Sequence, residues 1–117
     1  MLFFKNKESK NIISDTTEFV GTLKTESPVF IYGKLSGVIY TSKDVTIARG
    51  AEVKADIKSE NLTLSSQFTG NADVEKDFEI YENGIYEGEL KAGRIIFHQG
   101  AKINLSSPQM IDYAEKE

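Results

Sequence analysis

The chain carries few residues of the types that do chemistry, and their spacing decides what they are for. His98 is the single histidine among 117 residues and there is no cysteine. To act as a base or a metal ligand, His98 would need partners at ligand spacing, and the sequence supplies none. Its place directly after Phe97, in an alternating stretch, points it outward as a surface residue. Asp56 and Glu89 occupy one position of a repeated element, where Thr22, Val38 and Asn71 are the equivalents. Acidic clusters on a β-helical face are used by sugar-cleaving enzymes, but those keep basic residues beside the acids. Here the arginines are Arg49 and Arg94 alone, so the column reads as a solvated face. Tyr32, Tyr40, Tyr81 and Tyr86 could stack on sugar rings, yet aromatics are favoured in strands for ordinary packing reasons. No glycine-rich loop precedes a helical pattern, which leaves no phosphate cradle. The expectation is a non-enzymatic chain with no catalytic residue, no cofactor and no metal.

The first residues carry a sharper signal. Leu2, Phe3 and Phe4 precede Lys5, Lys7 and Lys10. Apolar side chains can enter a bilayer surface while lysines approach anionic headgroups. The expected membrane-binding set is Met1, Leu2, Phe3, Phe4, Lys5 and Lys7. Burying three such side chains gives at most roughly 5–8 kcal/mol, and ordering the tail offsets much of it. One tail would therefore bind weakly, whereas many tails on one polymer would bind collectively. The competing reading packs the same apolar residues onto the start of the folded core.

Length and composition narrow the class. The chain is one domain, 39% hydrophobic, with formal net charge −4 from 14 basic and 18 acidic residues. No basic field calls for nucleic acid. No run approaches the roughly 20 apolar residues of a spanning helix, and the start lacks a signal-peptide core. The expected location is the cytoplasm, at the inner face of the cytoplasmic membrane.

The elements that must position all of this repeat. An apolar pair two residues apart recurs as Val29/Ile31, Val45/Ile47, Leu62/Leu64, Phe78/Ile80 and Ile95/Phe97. A second piece, apolar-x-small-x-apolar, reads Phe19-Gly21-Leu23, Leu35-Gly37-Ile39, Val53-Ala55-Ile57, Phe68-Gly70-Ala72 and Tyr86-Gly88-Leu90. Period two means strand, and a regular stride of about 16–17 residues means a solenoid coil rather than a propeller blade. The expected fold is all-β: a right-handed, three-sided parallel β-helix of about five to six coils with flexible tails. Residues 1–13 read as a disordered N-terminal tail, 14–107 as the β-helix and 108–117 as a C-terminal tail. Ala72, where a larger aliphatic is usual, should leave its coil less tightly filled.

These elements resemble the bactofilins. The resemblance runs from about Ile13 to Leu105 and is carried by VFIYGKLSGVI, VTIARGAEVKADI, LTLSSQFTGNA and FEIYENGIYEGEL. Coils with a four-residue turn spacing (Ile31 to Leu35, Leu64 to Phe68) alternate with six-residue ones (Ile47 to Val53, Ile80 to Tyr86), as in that family. Ala55 in the glycine column and Ala72 depart from the pattern. The resemblance implies a bacterial cytoskeletal protein that polymerises without nucleotide by end-to-end stacking. It also implies placement on the inner membrane and a link to cell shape or to cell-wall enzymes, with a cell-wall peptidase or other morphogenesis protein as partner. The physics of a solenoid points the same way, because uncapped ends expose unpaired backbone and an apolar cross-section. The expected polymerisation surface is Phe19, Leu23, Val29 and Ile31 at one end, and Ile95, Phe97, Ile103 and Leu105 at the other. A monomeric adaptor for a wall hydrolase, and a β-helical enzyme acting on sugar or acyl groups, are the alternatives.

Overall fold

Two strand ladders, one short and one long, run side by side up the molecule. A computed structural model describes residues 9–106 and the backbone of 112–116. The strands are β1 (Asn11–Ile13), β2 (Glu18–Thr25), β3 (Val29–Ile31), β4 (Lys34–Thr41), β5 (Asp44–Ile47) and β6 (Glu52–Ser59). They continue as β7 (Asn61–Leu64), β8 (Gln67–Ile80), β9 (Ile85–His98), β10 (Lys102–Leu105) and β11 (Asp112–Lys116). The short ladder stacks β1, β3, β5, β7 and then the ends of β8 and β9, with β11 last. The long ladder stacks β2, β4, β6, the starts of β8 and β9, and β10. Every pairing is parallel, and the result is an all-β solenoid of about six turns.

Alternation builds the core. Val29, Val45, Leu62, Phe78 and Ile95 stack in register, as do Ile13, Ile31, Ile47, Leu64, Ile80 and Phe97. In the long ladder the inward columns are Phe19, Leu35, Val53, Phe68, Tyr86, Ile103 and Leu23, Ile39, Ile57, Ala72, Leu90. Almost all of the interior members are under 3% exposed. A one-residue slip would turn each column to solvent, so the apolar pattern fixes the register.

The small-residue column marks the corner of the long strand. Gly37, Gly70 and Gly88 take φ of 143°, 140° and 135°. A Cβ on Gly37 would lie 1.8 Å from the carbonyl oxygen of Gly21, and one on Gly88 just as close to that of Gly70. Ala55 is absent from the left-handed residues and is buried at 7%, so its layer turns the corner with ordinary backbone. Longer coils contain an extra turn, closed by Ala51 N–H to Ala48 O, Gly84 N–H to Tyr81 O and Ala101 N–H to His98 O. The third residue of each turn is left-handed: Gly50, Asn83 and Gly100. In the middle one Asn83, not the glycine that follows it, takes the left-handed position.

Three expectations change. Asn11–Ile13, assigned to a disordered tail, forms β1, and Ile13 is 6% exposed in the core. Asn11 hid this strand, because it fills a slot that is apolar in every later layer. The stretch after Pro108 is not simply a tail, since β11 pairs with Arg94 to His98. The coil at Ala72 is well filled: Tyr86, fully buried, donates its hydroxyl to the Glu89 carbonyl and also reaches the backbone of Ala72.

Candidate functional site

An end of a parallel ladder is a strand with one partner. Among the described residues, β2 at the N-terminal end pairs only with β4, and β1 only with β3. Phe19 and Leu23 project from β2 onto the core and stay partly exposed. Gly21 has φ of 144°, matching the inner corners, but a Cβ there would meet nothing closer than the Phe19 ring at 3.9 Å. Within the molecule that space is occupied by the carbonyl of the preceding layer. The edge layer is therefore shaped like an interior layer with its neighbour missing.

The C-terminal end is built alike. Among the described residues β10 pairs only with β9. Ile103 and Leu105 lie partly exposed against the core, with Ala101 beside them. The other half of this end is crossed by β11, whose backbone pairs with the rung that carries Ile95 and Phe97.

The eight expected interface residues thus separate into groups. Phe19, Leu23, Ile103 and Leu105 belong to the edge layers. Ile95, 5% exposed, and the partly buried Phe97 lie in the rung under β11. Val29 and Ile31 are 0% exposed because β1 covers them, which places both one layer inside. The sequence missed Ile13 as their cover. The signal was available, since Ile12-Ile13 aligns with Phe30-Ile31, but Asn11 interrupts the apolar pair.

The residues considered for chemistry are dispersed. His98 stacks on Tyr81 at 4.2 Å between ring centroids, and its Nε2 lies 2.7 Å from Glu79 Oε2. Burial and the Glu79 hydrogen bond raise the Tyr81 phenol above its usual range. These contacts clasp the last coil to the one before it. Among the described residues no group of three or more histidine, cysteine, aspartate or glutamate residues is placed to hold a metal. Asp56 and Glu89 lie exposed in the outward column with Thr22, Val38 and Asn71, as expected. Arg94 pairs with Asp77 at 3.1 Å across the short ladder. The tyrosines do not form one surface. Tyr86 is in the core, stacked on Phe68 at 4.9 Å, while Tyr40 is exposed on the long ladder and Tyr32 and Tyr81 beside the short one, three layers apart.

Met1, Leu2, Phe3, Phe4, Lys5 and Lys7 lie outside the described residues. Lys10 is described, with Nζ 5.9 Å from the centroid of the Phe30 ring. No helix among the described residues is long and apolar enough to cross a membrane.

The comparisons with known proteins agree with this architecture. The family model for bactofilins, described as polymer-forming and cytoskeletal, matches residues 11–107. The chain is similar to Bactofilin BacO of Myxococcus xanthus (strain DK1622), 24% identical over 93 residues, covering 80% of this chain and 74% of that relative. No solved structure matches. The family match begins at β1 and runs past β10, so it takes in the strand that the repeat alone had left out. This parallel solenoid, matched from β1 to past β10, belongs to the bactofilin family of polymer-forming cytoskeletal proteins.

Proposed function

We propose that this chain is a non-enzymatic scaffold subunit that polymerises end to end without nucleotide, attaches to the inner face of the cytoplasmic membrane through its first residues, and positions cell-wall enzymes or supports cell shape. The observation that carries this reading is the pair of one-sided edges. Among the described residues β2 and β10 each have a ladder partner on one side only, over half-buried apolar residues, Phe19 and Leu23 on one, Ile103 and Leu105 on the other. Stacking a second copy continues both ladders and buries those residues. Backbone pairing and apolar burial supply the free energy, so no nucleotide is required to drive the step. The family description supports the polymer, and Leu2, Phe3, Phe4 with Lys5 and Lys7 support the membrane anchor.

Assembly and attachment reinforce each other in this reading. A filament carries one tail per subunit, so each further tail binds at high effective concentration. Deleting Leu2 to Phe4 while keeping Met1 should abolish co-sedimentation with anionic vesicles and leave filaments intact by electron microscopy. Replacing Lys5, Lys7 and Lys10 with Gln should weaken binding less, in the way that added salt does. A tail deletion that still sediments with vesicles as the full chain does would remove the anchor from this account. One that loses filaments would move the tail into the assembly contact.

A further inference from the structure

Each face of the solenoid shows the outward half of the alternation. On the short-strand face the outward column runs Ile12, Phe30, Thr46, Thr63, Glu79, Ile96. The column beside it, just past the strands, includes Tyr32, Ala48, Ser65 and Tyr81. Over the first four layers neither carries a charge, in a chain where 27% of residues are charged. The long-strand faces differ. Their outward columns include Lys54 and Glu87 on one side and Lys24, Lys58, Asp73 and Lys91 on the other.

These two columns are most apolar at their N-terminal end, while the outward position that opens the same strands carries Asp44 in the third layer. Ile12 is 56% exposed and Tyr32 44%, and Phe30, partly exposed between them, has Lys10 beside its ring at 5.9 Å. Isolated exposed apolar residues are ordinary on a surface. Here an aliphatic, two aromatics and a lysine fall together in the first two layers. An aliphatic body, a ring with a polar tip and a cation on a flexible stem are what an interfacial surface uses.

The position of this patch identifies its occupant. Ser9 and Lys10 lead straight into β1, so residues 1–8 join the body at this end of this face. In the sequence Lys5 and Lys7 precede Lys10 closely, and lysines carry the sign that anionic lipid requires. We propose that Lys10, Ile12, Phe30 and Tyr32 form a second lipid-contacting surface, which lays the short-strand face of the solenoid against an anionic bilayer. This rests on the reading that the chain works at a membrane. It adds what attachment through the first residues alone does not supply: a patch on one face fixes which side of a filament meets the lipid. The charged long-strand faces then point away from the bilayer.

The test uses full-length protein and vesicles of phosphatidylcholine with and without phosphatidylglycerol. Ile12→Glu and Tyr32→Glu are each expected to reduce binding to the anionic vesicles by about five- to tenfold, with filaments and thermal melting unchanged. Thr63→Glu, farther along the same face, and Val20→Glu, on another face, should bind as the parent does. Binding that survives both patch substitutions would overturn the proposal. A change in filament bundling with vesicle binding intact would also overturn it, and would make the patch a contact between copies. The tail reading fails separately: if the Leu2–Phe4 deletion keeps its binding and the patch variants lose theirs, the body surface stands and the tail anchor falls.

Discussion

Ala72 and Tyr86 have to be understood as one packing unit. Ala72 stands in a column with Leu23, Ile39, Ile57 and Leu90, and is the smallest side chain in it. Tyr86 occupies the next column, on top of Phe68 and edge-on to Phe78. Its hydroxyl reaches the backbone of Ala72 and donates to the Glu89 carbonyl. Ala72→Leu should therefore overpack this layer and destabilise by roughly 1–3 kcal/mol. Adding Tyr86→Leu to it should recover much of the loss, and a thermal-melt cycle of the two changes measures the coupling. The same tyrosine gives a pH prediction. Burial raises its pKa far above the usual value of 10.0, so the folded state holds the proton more tightly than the unfolded chain. The stabilisation is complete below pH 10 or so and is lost as pH rises beyond it. Tyr86→Phe should cost about 1 kcal/mol at neutral pH for the lost hydrogen bond and decline less steeply in alkaline melts. Some decline remains, because Tyr81 is shifted in the same direction.

Among the elements, the corner strands were the most legible in the sequence and the terminal strands the least. The period-two columns and the glycine stride located β2 to β10 because the same contacts recur in every layer, so each repeat reinforces the next. β1 and β11 lie at the ends of the stack, where only one neighbour constrains them. Asn11 can therefore replace an apolar residue in β1, and Pro108 separates β11 from the repeat. The open edges at Phe19, Leu23, Ile103 and Leu105 were legible as apolar columns. That Val29 and Ile31 lie one layer inside was not, since covering depends on β1. The corner itself is testable. A Cβ at Gly70 would lie 2.0 Å from the Ala55 carbonyl oxygen, with φ at 140°, so Gly70→Val should destabilise by at least 2–3 kcal/mol. Thr69→Val, exposed and next in sequence, should be near neutral. Gly21→Val has the strain but not the clash, so it should affect the isolated fold less than Gly70→Val and affect assembly more. Equal melting shifts for Gly70→Val and Thr69→Val would show that the inward and outward columns are exchanged.

At the scale of the molecule, the solenoid is a stack whose long ladder has one-sided strands, β2 and β10, at its two ends among the described residues. About six layers at roughly 4.8 Å spacing give a subunit rise near 30 Å if copies continue the ladder. Removing the apolar edge should shorten the polymer without unfolding the body. Leu23→Arg and Ile103→Arg place a charge where a stacked copy would desolvate it, while each side chain still has an open flank in the monomer. The most direct measurement is electron microscopy with sedimentation of the purified chain in nucleotide-free buffer, alongside these two variants. The account predicts filaments of the parent with a strong layer line near 4.8 Å along the axis, and short, soluble species of both variants that retain a β-type circular dichroism spectrum. Filaments of Leu23→Arg and Ile103→Arg with the parent's length and axial repeat would contradict it.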